Sequence, residues 1–153
     1  MVILGVGHLL AIIVDAANVM GSRPDGWWRD RAGAAVRLYD DLVRLAEHGV
    51  VVPGALHDAG SGPLGTEFVL VLEGAARAAM DRISAAADDG VPADKHIRVI
   101  AANGSGDDAI VSAVRELAGR CVVVTADREL RRRCEALGAS ILGPRWLLGE
   151  FRH

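Results

Sequence analysis

Five acidic residues follow apolar stretches of this chain, at points where a strand would give way to a loop or helix. Asp15 ends LLAIIVD, Glu73 follows FVLVL, Asp107 and Asp108 come after IRVIAANGSG, and Asp127 ends CVVVTAD. The carboxyl ends of parallel strands share one edge of an α/β sheet, and ligands bind in the crevice there. Because gathered carboxylates repel one another, such a site usually holds a divalent cation. The pattern therefore predicts a magnesium or manganese site.

Helix capping is the competing interpretation of these acids. Asp107 and Asp108 follow a GSG sequence at a predicted helix start, where aspartate complements the helix dipole. Asp127 would likewise cap the helix that follows it, and solvation alone would account for Glu73. Asp15 is harder to explain in this way, because no helix is predicted directly beside it. Independent caps have no reason to fall at the same end of four strands, so the set as a whole favours a site.

A divalent cation at this edge would suit phosphodiester hydrolysis. It could polarise a phosphoryl oxygen, lower the pKa of a bound water and stabilise the leaving oxygen. Asn18, three residues after Asp15, would orient that carboxylate or bind a phosphate oxygen; an Asx-turn is the alternative.

A basic and aromatic segment follows the first of these aspartates. It contains Arg23, Trp27, Trp28, Arg29 and Arg31. Arginine can grip a phosphate with two hydrogen bonds, and tryptophan can stack on an unpaired base with about 1 to 3 kcal/mol. Arg23, Trp27 and Arg29 are therefore predicted to bind substrate. In the alternative interpretation, Trp28 begins the buried face of a helix and the arginines are solvated or pair with Asp25 and Asp30.

Strand-like and helix-like patterns alternate along the chain, which predicts an α/β fold with a mainly parallel sheet. Strands are predicted at residues 9–14, 68–72, 97–101, 121–125 and 140–142, with a further short one conceivable at 50–52. A helix is predicted from Trp28 to a stop at Gly49, and an alanine-rich helix after the second strand, ending at about Ile83. Two further helices are predicted from Asp107 to Ala118 and from Arg128 to Leu137. The sequence AANVMGSRPDG after Asp15 is predicted to be a loop, and the segment around Trp146 a terminal turn.

Length and composition bound the remaining possibilities. A chain of 153 residues suits one domain, 1–153, and a net charge of -3 gives no general attraction to nucleic acid or anionic membrane. The two cysteines have no metal-site spacing, which favours free thiols in a reducing compartment. No apolar run approaches the roughly 18 residues needed to span a bilayer. A cytoplasmic protein without a membrane partner is the expectation.

Three motifs, in this order, resemble those of the PIN-like superfamily of metal-dependent nucleases and, within it, the bacterial NYN domains. They are IIVDAANV at 12–19, GDDAI at 106–110 and VVVTADREL at 122–130. The resemblance implies a three-layer sandwich with a five-stranded sheet in the order 3-2-1-4-5, a Mg²⁺ or Mn²⁺ cofactor, and RNA as substrate. By motif, Asp15, Asp107 and Asp127 match the family's core acidic positions.

The resemblance also implies roles for other residues. Asn18 and Thr125 match the asparagine after the first aspartate and the hydroxyl residue beside the last, and are expected to orient phosphate or carboxylates. Glu73 matches a catalytic acid by position only, and Asp108 is an additional carboxylate expected to support the metal. His57 has no assigned role.

The expected function is thus a metal-dependent endoribonuclease. Two alternatives stay open: a magnesium-dependent phosphohydrolase acting on a nucleotide or small phosphate ester, and an RNA-binding module without turnover. A homodimer, a protein inhibitor and an RNA-processing partner are further expectations that the sequence neither requires nor excludes.

Overall fold

Five parallel strands form one sheet in the computed structural model, which describes residues 10–50, 52–53, 66–88 and 97–152. The strands are β1 (Leu10–Asp15), β2 (Thr66–Leu72), β3 (Ile97–Ala101), β4 (Cys121–Val124) and β5 (Ser140–Leu142). Their order across the sheet is β3-β2-β1-β4-β5, and each neighbouring pair is parallel. The predicted fold class and strand order are confirmed for the described part of the chain.

Helices connect the strands and cover both faces of the sheet. They are α1 (Ala16–Gly21), α2 (Arg31–His48), α3 (Ala79–Asp88), α4 (Gly106–Glu116), α5 (Arg128–Glu135) and α6 (Pro144–Glu150). Two 3-10 turns, Trp27–Arg29 and Gly74–Ala78, precede α2 and α3. None of the helices in the described ranges is long and apolar enough to cross a membrane.

The central strand β1 divides the core into two halves because its side chains alternate between the two faces. Ile12 and Val14 pack in one cluster with residues of α1, α2 and α6. Ala11 and Ile13 pack in the other, with residues of α4 and α5. Helices therefore lie on both sides of a buried sheet, as the continuous apolar character of the strands predicts.

The structure corrects two parts of the sequence interpretation near Asp15. The sequence predicted to be a loop begins with a helix, α1, whose Val19 and Met20 are buried in the core. Trp28 does not begin the buried face of α2, because it lies in the 3-10 turn and is 56% exposed. Helix α2 begins instead at Arg31.

Other boundaries differ less from prediction. Asp30 caps α2, accepting a hydrogen bond from the Gly33 N–H at 2.9 Å, and Gly49 ends it with a φ of 85°. The segment around Trp146 is a helix, α6, that starts with a proline in its first turn. Val50 and Val52 belong to no strand, and Val51, Leu9 and His57 lie outside the described residues.

Candidate functional site

The carboxyl edge of the sheet brings Asp15 and Thr125 together. Val14 of β1 lies beside Val124 of β4 in parallel register, so the next residues along, Asp15 and Thr125, are neighbours. The Thr125 hydroxyl donates a hydrogen bond to Asp15 Oδ2 at 2.9 Å. Both residues are buried, with exposed fractions of 7% for Asp15 and 1% for Thr125. Asp15 is therefore a carboxylate sheltered from water at the end of the central strand.

The ionisation of Asp15 reports on the acids around it. Burial raises the pKa of Asp15 from 3.8 to about 6. Hydrogen bonds from the Thr125 hydroxyl and the Asn18 backbone N–H lower this pKa, whereas the charges of Asp107 and Glu73 raise it. Carboxylates that follow three different strands are thus near enough to influence one another.

Asp15 also caps the helix that follows it. Its Oδ1 accepts a hydrogen bond from the Asn18 N–H at 3.4 Å, in the first turn of α1. The expectation that no helix begins beside Asp15 was wrong, since α1 starts at Ala16. Capping does not exhaust the carboxylate, because its two oxygens offer about four lone-pair sites.

Asn18 and Asp127 join the ends of β1 and β4. The side-chain Oδ1 of Asn18 accepts the Ala126 N–H at 2.9 Å. The Asp127 N–H donates to Thr125 Oγ1 at 3.1 Å. The Asp127 carboxylate accepts the Leu130 N–H at 2.9 Å, which makes it the N-cap of α5, as the capping interpretation predicts. The predicted Asn18, Thr125 and Asp127 therefore belong to one hydrogen-bonded unit with Asp15.

Glu73 links the end of β2 to the start of α4. Its Oε2 accepts a hydrogen bond from the Gly106 N–H at 2.6 Å. A Cβ atom at position 106 would lie 2.6 Å from that same oxygen, so a glycine leaves the room that this contact needs. The N-cap of α4 is Ser105, whose hydroxyl accepts the Asp107 N–H at 3.1 Å. Asp107 and Asp108 lie in the first turn, where their charge complements the helix dipole.

The adjacent Asp107 and Asp108 have different surroundings. Burial raises the pKa of Asp107, the charges of Asp127 and Glu73 raise it further, and the Arg133 guanidinium lowers it. Asp108 is 73% exposed at its side chain and pairs with Arg133 at 2.9 Å. Asp107 therefore belongs with the other acids, whereas Asp108 lies at their margin. Asp15, Glu73, Asp107 and Asp127 are hereafter called the acidic cluster.

The donor chemistry of the acidic cluster suits a hard divalent cation. Its side chains offer only oxygen ligands. Burial is the main cause of the raised pKa values of Asp15 and Asp107, and the charges of neighbouring acids raise them further; a positive ion would relieve both effects. Within the described ranges, no group of three or more His, Cys, Asp or Glu side chains is arranged to hold an ion by itself. Mg²⁺ needs only one or two protein carboxylates, because it keeps several of its waters.

The predicted substrate-binding segment divides into two parts. Arg23 pairs with Asp41 of α2 at 2.5 Å, and its guanidinium lies 5.2 Å from the Phe151 ring centroid. Neither contact joins Arg23 to the acidic cluster. Arg29 lies over the exposed Trp28 ring, with 5.8 Å between its guanidinium carbon and the ring centroid.

A cavity of about 300 Å³ lies beside Glu73. It is lined by Ala17, Met20, Trp27, Arg31, Glu73, Gly74, Ala76 and Gly104. The predicted Trp27 and Glu73 thus border the same space, which the sequence pattern does not reveal. Arg31 borders it as well, although the sequence offers no signal that distinguishes this arginine from its neighbours.

The chain was compared with protein-family models and with curated proteins. No protein-family model matches the chain, and no curated protein is significantly similar to it. The resemblance to PIN-like and NYN domains therefore stays a prediction.

Proposed function

We propose that this chain is a Mg²⁺- or Mn²⁺-dependent ribonuclease that hydrolyses phosphodiester bonds at the acidic cluster. One observation carries the proposal: acids that follow separate strands share the carboxyl edge of the sheet, where burial first, and the charges of neighbouring acids second, raise the pKa values of Asp15 and Asp107. Ligands of open parallel sheets bind at this edge. A cluster of oxygen donors that repel one another is suited to a divalent cation and, through it, to a phosphate.

The residues of the cluster take different roles in this proposal. Asp15, Asp107 and Asp127 would hold the metal, and Glu73 would support it or position a water. When bound, the metal supplies charge for the phosphoryl oxygens and lowers the pKa of a water. Asp108, which is paired with Arg133, adds negative charge beside the acidic cluster and partly neutralises the charge of that arginine.

Asn18 and Thr125 position the carboxylates. The Thr125 hydroxyl holds Asp15 Oδ2, and Asn18 Oδ1 holds the Ala126 N–H beside Asp127. Outer groups of this kind orient metal ligands, and their loss typically lowers metal affinity or activity about 10- to 100-fold. Arg29 is exposed on the Trp27–Arg29 turn and contributes a phosphate contact.

The cellular setting belongs to the same proposal. Cys121 and Cys134 are buried and unbridged, which supports a reducing compartment such as the cytoplasm. A nucleotide phosphohydrolase is the second candidate function, because the cavity of about 300 Å³ beside Glu73 has the size of a small-molecule site.

The test is incubation of the purified protein with single-stranded and structured RNA, and with nucleoside triphosphates, in Mg²⁺, Mn²⁺ or chelator. Asp15→Asn and Asp107→Asn are expected to lower RNA cleavage at least about 100-fold. Residues that only orient metal ligands typically cost about 10- to 100-fold, and the loss of a ligand itself should cost at least as much. Asp81→Asn is the matched control, since Asp81 is an exposed aspartate in the first turn of another helix, α3. It is expected to keep full activity.

Three results would contradict the proposal in different ways. Cleavage that survives both Asp15→Asn and Asp107→Asn would come from a contaminant. Hydrolysis of nucleotides without cleavage of RNA would favour the second candidate. RNA binding without metal-dependent cleavage of any substrate would indicate a binding module.

A further inference from the structure

We infer that the cavity bordered by Trp27, Arg31 and Glu73 is a subsite for one unpaired nucleobase carrying an exocyclic amino group. This inference rests on the proposed function for the identity of the ligand as part of an RNA. The cavity itself, of about 300 Å³, is independent of that function. It stands at the lower end of the range of about 300 to 1,000 Å³ for small-molecule sites, which suits one base with its ribose.

The walls of the cavity have the chemistry that a base requires. Met20, Ala17 and the Trp27 ring supply an apolar and aromatic side, and Glu73 and Arg31 supply one acceptor and one donor group. Bases stack on aromatic rings irrespective of sequence, whereas hydrogen-bonding groups at the edge distinguish one base from another.

Trp27 is held in place before any ligand arrives. Its ring packs against the core and meets the Trp28 ring edge-on, with centroids 6.2 Å apart. The Arg31 guanidinium lies over the ring, 5.4 Å from its centroid, so a base would stack on the part of the ring that Arg31 leaves open. A side chain that is already ordered loses little conformational entropy on binding. Trp28, in contrast, is exposed and does not border the cavity.

Glu73 places the cavity next to the acidic cluster. The same carboxylate that borders the cavity accepts the Gly106 N–H at the start of α4, one residue before Asp107. A base in the cavity would therefore have its own phosphate close to the residues proposed to hold the metal.

Glu73 also gives the subsite a preference. A carboxylate accepts hydrogen bonds from the amino groups of adenine, cytosine or guanine. Uracil has no amino group, and the one donor at its Watson–Crick edge, the N3–H, is flanked by two carbonyl oxygens that repel a carboxylate. Cytidine and uridine form the sharpest pair for comparison, because they have the same size and differ at this edge.

The experiment titrates the protein with uncharged nucleosides in chelator, so that neither metal nor phosphate affects binding. The readout is the NMR signals of the Trp27 indole N–H and of the backbone N–H of Ala76, which also borders the cavity and is kept when Trp27 is replaced. Adenosine and cytidine are expected to shift both signals saturably, and uridine to bind at least about 5-fold more weakly than cytidine. Trp27→Leu is expected to weaken adenosine binding at least about 5-fold, which corresponds to the smallest stacking energy measured for a base on an aromatic ring. Trp28→Leu is its control.

A second variant keeps the test valid if Trp27→Leu fails to fold. A Cβ atom at Gly104 would start in open space at the wall of the cavity and meet nothing within 4 Å, so Gly104→Leu introduces bulk there without a clash at its Cβ. It is expected to abolish the nucleoside-induced shift while the Trp27 signal stays dispersed. Gly149→Leu is the matched control, because Gly149 in α6 also has open space at its Cβ and does not border the cavity.

The outcomes separate the subsite from the nuclease. Absence of a saturable shift with every nucleoside, or equal binding of cytidine and uridine, would overturn the subsite while RNA cleavage stood unaffected. In metal, Gly104→Leu is expected to raise the KM for an RNA octamer at least about 5-fold. An unchanged KM together with lost nucleoside binding would assign the cavity to a free nucleotide and overturn its place in RNA recognition.

Discussion

The ends of β1 and β4 share one arrangement, a strand followed by an aspartate that caps the next helix, and differ in how far that aspartate lies from the strand end. In each, an apolar strand leads to an aspartate that accepts a backbone N–H and caps the next helix. Asp15 is the last residue of its strand and is buried, whereas Asp127 stands three residues past Val124 and is partly exposed. Directly after β4, at the position that corresponds to Asp15, stands Thr125, whose hydroxyl donates to the Asp15 carboxylate and accepts the Asp127 N–H.

The difference shows that capping and candidate chemistry are not exclusive properties of an aspartate. Strand β1 has neighbours on both sides, so an acid within it loses water from several directions. Moving the acid past the strand end keeps the cap and restores access to water. The burial that raises the pKa of Asp15 to about 6 is therefore a property of its place in the sheet.

The largest expected effect concerns stability against pH in metal-free buffer. Folding raises the Asp15 pKa from 3.8 to about 6, so the folded state holds the proton more tightly. Stability from this group is fully present below about pH 4 and is lost as the pH rises through about 6, by about 3 kcal/mol. Asp15→Asn should abolish that loss and unfold at higher urea than the parent at pH 8. If the difference in urea midpoint between parent and variant stayed constant from pH 4 to 8, the predicted contribution of Asp15 would be wrong.

Thr125→Val should have the next largest effect, because it removes a buried hydroxyl that serves both strand ends. Asp15 loses a donor and the Asp127 N–H loses an acceptor, which together should destabilise the fold by about 2 kcal/mol. Since the Thr125 hydrogen bond lowers the Asp15 pKa, the pH at which stability is lost should move upward. Urea unfolding across pH measures both effects. Thr125→Ser keeps the hydroxyl and should preserve the parent's pH dependence; if it behaves like valine, packing and not hydrogen bonding is responsible.

Gly106→Ala tests whether the acid at the end of β2, Glu73, also stabilises the fold by accepting a backbone N–H at a helix start. The new Cβ would lie 2.6 Å from Glu73 Oε2, too close for both to stay, and would displace that carboxylate from the Gly106 N–H. Loss of a hydrogen bond to a charged group, partly offset by the better helix propensity of alanine, should lower stability by about 1 kcal/mol. Thermal unfolding measures this, with Gly104→Ala as control, since a Cβ there meets nothing within 4 Å. Equal effects of the two alanines would show that the Glu73 contact contributes nothing.

The smallest effect should come from Asp127→Asn. Asparagine caps helices about as well as aspartate, so stability at pH 7 should change by less than about 0.5 kcal/mol. Asp127→Ala should lower it by about 1 kcal/mol, because the Leu130 N–H loses its acceptor. Urea unfolding of both variants measures these changes. If Asp127→Asn stabilised the protein as much as Asp15→Asn does, the two aspartates would not differ in the way proposed.

The sequence predicts the strands well because their signals are local. Continuous apolar runs mark strands buried on both faces, and the acids that follow them mark the edge. Helix α1 was missed because Gly21 and Pro24 are typical of turns, whereas its stability comes from burial of Val19 and Met20 against distant residues. Tertiary packing outweighed local propensity there.

The contacts within the site were less predictable than its members. Nothing local distinguishes Arg23, which pairs with Asp41, from Arg31, which borders the cavity. The Glu73–Gly106 hydrogen bond joins residues 33 positions apart, and it depends on how α4 packs beside β2. Residue types and spacing identify which groups are able to interact, but the choice of partner is made by packing.

The separation of Asp15 and Thr125 along the chain has a consequence for synthesis of the protein. The residue that holds the Asp15 side chain follows it by 110 positions. At the usual rate of translation, about 5 to 20 s pass between the two, and β4 emerges only then to complete the sheet around β1. The nascent chain therefore carries Asp15 throughout that interval without the residue that holds its side chain. The proposed ribonuclease would thus lie beside its own messenger RNA before its site is complete.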